Sequence, residues 1–157
     1  VEIEKEDQKF EKVAVTLGIS DGINVEILDG LKDGDKIILI IEDDNGVTAV
    51  LTKVLENHGF DVIVAHDGLQ GTTLAHNEKP DLIILDLILP VGGGLTTLRN
   101  LKMSTHTKKI PVIVLSATAD NKLKEEVNNV GIEDFIEKPY NSDDLVSRVQ
   151  TVLEKGA

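Results

Sequence analysis

The chain has 157 residues and a mass of 17.0 kDa, room for one ordinary domain and a short appendage. Its 28 acidic against 16 basic residues give a formal charge of −12, which argues against nucleic acid or an anionic membrane as direct ligand, because phosphate binding needs a positive field. Cysteine is absent, which excludes disulfides, thiolate zinc sites and cysteine nucleophiles, and no apolar run approaches the ~20 residues of a membrane span.

The chain opens on Val1 rather than Met, so it is expected to be a fragment or a processed form, and no signal peptide opens it. Residues 1–35 carry 10 acids and 4 bases, and the same net charge of −6 is spread over all of 36–157. This uneven density marks 1–35 as an N-terminal extension and 36–157 as the main domain. The first dozen residues are polar and expected to fray. Val13, Val15 and Leu17 then alternate, Ser20-Asp21-Gly22 signals a turn, and Val25 and Ile27 alternate again. The pattern predicts a short β-hairpin, which would need a neighbour to lean on.

From Lys36 onward the pattern changes. Apolar runs recur at Ile37–Ile41, Val62–Ala65, Leu82–Leu85, Val112–Leu115 and Ile132–Ile136. Between and after them, helical spacing appears over Val47–Glu56, Leu69–His76, Leu95–Met103, Lys122–Val127 and Leu145–Leu153. Runs apolar on both faces, alternating with amphipathic helices, predict parallel strands covered on both sides. Five such pairs fit an open, doubly wound α/β sheet rather than an eight-stranded barrel. Ligands of these sheets bind beyond the C-terminal strand ends, where the strand order reverses.

The strand ends carry the chemistry. Glu42-Asp43-Asp44 follow the first strand, Asp86 the third, Ser116 the fourth and Lys138-Pro139 the fifth. Carboxylates gathered on one edge repel and take up protons unless a cation joins them. Oxygen ligands with open positions suit Mg²⁺. Lys138 offers a compact charge for a carboxylate or a phosphoryl oxygen, and a carboxylate beside such a cluster can become an aspartyl phosphate. Each member also has a plainer reading. Asp43, Asp44 or Asn45 could cap the helix starting near Gly46, and Lys138-Pro139 could mark a helix start capped by Asn141 or Ser142. It is the joint occurrence at four strand ends that favours chemistry.

These residues carry a resemblance. IILIIEDDN, DLIILDLILP with Pro90 four residues past Asp86, Gly94, VIVLSA and FIEKPY stand in register, with Asp43, Asp86, Ser116 and Lys138 in the family's spacing. Residues 36–155 resemble a response-regulator receiver domain, the CheY-like family. The resemblance implies a five-stranded parallel sheet of order 2-1-3-4-5, with the hairpin as an N-terminal appendage. It implies that Asp86 accepts the phosphoryl group and that Glu42, Asp43, Asp86 and the carbonyl of Ile88 hold Mg²⁺, with Glu42 reaching it through water. Ser116 is implied as switch hydroxyl, Lys138 as catalytic lysine and Phe135 as aromatic switch, although plain core packing explains Phe135 almost as well. A sensor histidine kinase or phosphotransfer protein in the cytoplasm is the implied phosphodonor, the helix 4–strand 5–helix 5 surface the readout, and 120–155 a surface through which two copies could pair. No direct nucleic-acid or membrane partner is expected, and the module is a switch that catalyses its own phosphorylation and dephosphorylation rather than a turnover enzyme.

Two other functions compete. An aspartate-nucleophile phosphohydrolase of the haloacid dehalogenase type wants a second Asp two residues past the nucleophile, and Ile88 stands there. A degenerate receiver serving only as an interaction module would not need Glu42, Asp43, Asp86 and Lys138 together. Residues 11–35 resemble the C-terminal end of periplasmic adaptor (membrane fusion) proteins through the Ser-Asp-Gly turn and GLKDGDK. Those adaptors lie outside the inner membrane, so a junction near Asp35 is expected. Gly92-Gly93-Gly94 lacks the Lys-Ser/Thr of a phosphate-binding loop, and DGLKDGDK lacks an EF-hand's ligand pattern. His58, His66, His76 and His106 show no paired metal spacing and are expected at the surface. With one Tyr, three Phe and no Trp, no stacking platform for single-stranded nucleic acid is present.

Overall fold

The computed structural model describes residues 35–90, 93–117 and 120–155; the N-terminal hairpin expectation lies outside them. Among the described residues, five strands and five helices alternate: β1 (Ile37–Ile41), α1 (Asn45–Asn57), β2 (Asp61–Ala65), α2 (Gly68–Glu78), β3 (Leu82–Asp86), α3 (Gly93–Met103), β4 (Val112–Ser116), α4 (Asn121–Val130), β5 (Asp134–Glu137) and α5 (Ser142–Lys155). All strand pairs are parallel, in the order β2-β1-β3-β4-β5.

The central strands are buried on both faces because every residue in them is apolar up to the last position. Alternation sorts them into two cores. Ile38, Ile40, Ile84, Ile113 and Leu115 pack with Leu51 and Leu55 of α1 and with Leu145, Val149 and Val152 of α5. Leu39, Ile41, Ile83, Leu85 and Val114 pack with Ala75 of α2, Leu98 and Leu101 of α3 and Val127 of α4. Helices α1 and α5 thus cover one face, and α2, α3 and α4 the other.

Local signals fix the helix starts. Asp44 accepts from the amides of Gly46 and Val47, Asp67 from Gln70, and Asp120 from Lys122. Asn141 accepts from Asp143 and Asp144 ahead of α5. Each satisfies donors that a first helical turn leaves open. The helices therefore extend into polar turns that apolar spacing does not mark.

The fifth strand starts two residues later than the apolar run Ile132–Ile136 predicts. Glu133 already donates its amide to Val112, but the paired segment is Asp134–Glu137. On an edge strand with one neighbour, Ile132 packs into the core from the preceding loop instead.

Because β2 lies on one side of β1 and β3 on the other, the chain reverses its direction across the sheet between β1 and β3. A crevice at the C-terminal ends of these two strands follows.

Candidate functional site

Register brings the acids together. Ile41 pairs with Leu85, so the next step along each strand sets Glu42 beside Asp86. Carboxylate oxygens of Glu42, Asp43 and Asp86 lie within 4.8 Å of one another. Glu42 is only 2% exposed and Asp86 only 5%, whereas Asp43 faces solvent. Asp44 stands apart as the α1 cap.

The fifth strand delivers the counter-charge. The Lys138 amide donates to the Ser116 carbonyl at 2.8 Å, extending the β4–β5 ladder one residue beyond the Ser116–Glu137 pair. From there Lys138 Nζ reaches Asp86 Oδ2 at 2.8 Å and Glu42 Oε2 at 3.1 Å. Burial lowers the Lys138 pKa, but hydrogen bonds and charge from Asp86 and Glu42 outweigh it and hold the ammonium above its ordinary range. Glu42 is pushed up to about 7, first by burial and then by its hydrogen bond with Asp86; Lys138 and the Asp44 amide offset only part of this. Two buried carboxylates with one lysine are thus under-neutralised.

The loop after β3 holds Asp86 from the other side. The Ile88 amide donates to Asp86 Oδ1 at 2.9 Å, while the Ile88 side chain is 63% exposed. Gly94, on α3, donates its amide to the Leu87 carbonyl at 3.0 Å. A Cβ at Gly94 would stand 2.3 Å from Leu87 Cα and 2.5 Å from the Asp86 carbonyl oxygen. Only glycine lets α3 approach the acid-bearing backbone this closely.

Ser116 is fully buried at the end of β4, one step beyond Leu115, the residue paired with Asp86. Phe135 pairs with Val114 on the adjacent strand and packs against the core under α4. Glu42, Asp43, Asp86, Lys138 and the Ile88 backbone therefore meet at one point, with Ser116 next to it and Phe135 further along β5.

Sequence reasoning missed Tyr140. It packs against the α1/α5 core and lines a groove beside the site with Asp44, Val47, Val50 and Lys138. Burial, the chief cause, raises its pKa, and Glu42 and Asp86 add to this while Lys138 opposes it. Its adjacency to Lys138-Pro139 was the available signal.

The donor set suits a small hard cation. Three carboxylates with close oxygens, two of them buried with less than a full counter-charge, are what Mg²⁺ would join, keeping its remaining positions for water and phosphoryl oxygens.

The family model described as the response regulator receiver domain matches residues 38–150. The transcriptional regulatory protein CpxR of Escherichia coli K12 is 36% identical over 118 residues, which are 75% of this chain and 49% of that protein. The phosphate regulon transcriptional regulatory protein PhoB of the same strain is 32% identical over 118 residues, 52% of its length. The chain thus spans about half the length of these curated relatives. The chemotaxis protein CheY4 of Vibrio cholerae superposes with a TM-score of 0.72 at 25% identity, covering 76% of this chain and 99% of that one. The receiver domain of a sensor histidine kinase from Pseudomonas aeruginosa, solved with a magnesium ion in its active-site cleft, gives 0.68 at 27% identity, covering 78% and 97%. With the sheet order and the strand-end acids in place, the match over 38–150 shows that the chain belongs to the response-regulator receiver family, the phosphoacceptor modules of two-component phosphorelays.

Proposed function

We propose that Asp86 is the phosphoacceptor and that Glu42, Asp43, Asp86 and the Ile88 carbonyl hold Mg²⁺ beside it. The observation that carries this reading is the Lys138 ammonium bridging Asp86 Oδ2 at 2.8 Å and Glu42 Oε2 at 3.1 Å within the three-acid cluster. The phosphodonor is a phosphohistidine on a sensor histidine kinase or phosphotransfer protein, in the cytoplasm.

A carboxylate oxygen of Asp86 attacks phosphorus as the phosphorus–nitrogen bond breaks. The electron pair leaves with the imidazole, which takes up a proton. The Ile88 amide fixes one Asp86 oxygen and leaves the other, now paired with Lys138, to react. Lys138 stays protonated and follows the charge onto the transferring oxygens. Mg²⁺ held by Glu42, Asp43, Asp86 and the Ile88 carbonyl would, when bound, add further neutralisation of those oxygens. Positioning and electrostatics supply most of such a step.

The product adds about −1.5 to −2 of charge. Ser116 donates a hydrogen bond to the phosphoryl oxygens and draws in the backbone after β4. Phe135 then turns inward, changing the α4–β5–α5 surface, which is the readout and the face through which two copies pair. The domain catalyses its own phosphorylation and slow dephosphorylation, and its acidic surface contacts protein rather than nucleic acid. Residues 36–157 form this module, and 1–35 are an extension it does not need.

Acetyl phosphate with Mg²⁺ tests the assignment. The expected result is a single phosphoryl adduct that persists, disappears in Asp86→Ala, and forms slowly in Lys138→Met. Rapid turnover without adduct would indicate a hydrolase, and neither adduct nor turnover a degenerate module; labelling unchanged in Asp86→Ala would refute the assignment.

A further inference from the structure

The fold pairs two histidines that their spacing in sequence keeps apart. His76, in the last turn of α2, and His106, in the turn between α3 and β4, stand with ring centres 4.5 Å apart and planes at 88°. Both are exposed, so the contact is not forced by a core.

The turn that carries His106 is firmly held. Its amide donates to Ser104 Oγ at 3.2 Å, and the neighbouring Thr107 hydroxyl is buried and donates to the Leu101 carbonyl at 2.6 Å. Lys102 Nζ closes the same turn by donating to the carbonyls of Lys108 and Ile110. On the other side, buried Ala75 anchors the turn of α2 that bears His76. Two imidazoles in edge-to-face contact are thus carried on well-held supports, one of the conditions for a chelate.

The separation matches a shared ion. With a metal–nitrogen distance of about 2.0–2.1 Å and a ring centre about 1.1 Å beyond each nitrogen, two imidazoles on one ion at roughly 90–110° stand about 4.5–5.2 Å apart. We propose that His76 and His106 form a two-imidazole site for a borderline divalent transition ion such as Zn²⁺, Ni²⁺ or Cu²⁺, distinct from the acidic cluster. Imidazole selects these ions, whereas Mg²⁺ prefers oxygen. Water completes the coordination, and the bound ion ties the end of α2 to the turn after α3.

The test titrates Zn²⁺ into the whole chain by calorimetry, with millimolar Mg²⁺ present. One ion per chain is expected. His76→Asn and His106→Asn should each weaken it about tenfold or more, and the double variant little further, while His58→Asn leaves it unchanged. Substoichiometric Cu²⁺ should broaden the imidazole proton signals of His76 and His106 before those of His58 and His66. Circular dichroism establishes that the variants are folded. A Zn²⁺ isotherm the same in the parent and both variants, as when the ion goes to the carboxylates instead, overturns the site; so does simultaneous broadening of all four histidines.

Discussion

The Lys124 ammonium, on α4, lies 5.3 Å from the centre of the Phe135 ring on β5 and pairs with Glu137 two residues further along the strand. This cation–ring contact favours the present position of Phe135 and is lost if the ring turns inward. At a part-exposed position it is worth about 0.5–1 kcal/mol, and the half-exposed ion pair with Glu137 adds little. Lys124→Gln should therefore lower the beryllofluoride concentration for half-saturation by roughly two- to fivefold, since the resting state loses the contact and the liganded one does not. An unchanged or higher midpoint would mean that the lysine does not restrain the ring.

If Asp86 is the phosphoacceptor, Ile88 is placed to set how long a phosphoryl group lasts there. Its amide holds Asp86 while its side chain projects into solvent as bare hydrocarbon, unable to orient a hydrolytic water. Ile88→Asn should speed loss of label at least about tenfold, less than the roughly hundredfold or more of a positioned general base, because an amide orients water without taking its proton. Decay of labelled protein with Mg²⁺ measures it. A parent half-life of only seconds would contradict the argument.

Gly94 couples α3 to the acid-bearing loop. Alanine there would place its Cβ 2.3 Å from backbone, which cannot rotate away as a side chain can. The helix or the loop must move, at a cost of about 2 kcal/mol or more. Gly94→Ala should lower the denaturation midpoint and slow labelling of Asp86 together. A drop in stability with labelling untouched would mean that the helix alone gives way.

Much of this arrangement was legible in the sequence because its signals are local. The runs at 37–41, 82–85 and 112–115 are apolar on both faces, which parallel burial demands, and strand-end acids at a switch point place the crevice. The edge strand was less legible: Glu133 and Asp134 interrupt its apolar run, and its start depends on pairing with β4 alone. Strand-end position already gathered Glu42, Asp86 and Lys138 on one edge, but register is a tertiary property, so the sequence did not say that Lys138 would bridge the two carboxylates. The Lys124–Phe135 and His76–His106 contacts depend on how helices and loops dock across the sheet. Spacing rules for metal pairs look within one helix or strand, and so passed over the histidines.

Tyr140 offers a reporter, being the single tyrosine of a chain without tryptophan. Its pKa is raised chiefly by burial, with Lys138 opposing. The ultraviolet absorbance of tyrosinate should rise above pH 10, and higher still in Lys138→Met, where the opposing charge is gone. The phenol keeps its proton longer folded than unfolded, so its contribution to stability is complete below the unfolded pKa of about 10 and is lost as pH rises through the folded value. A midpoint unmoved by Lys138→Met would separate the phenol from the acidic site.

The extension can be tested by removal. Among the described residues, both cores are built from side chains between Ile38 and Leu153, on a sheet that starts at Ile37. A chain of about 120 residues buries enough surface to fold unaided. Deleting 1–34 should therefore leave a cooperative unfolding transition, with the midpoint shifted by only a few degrees, and phosphorylation of Asp86 at the parent rate. Calorimetry and acetyl phosphate labelling of the shortened chain check the two halves separately. Loss of folding would show that the extension completes the receiver. Intact folding with slower labelling would instead place its influence at the crevice between β1 and β3.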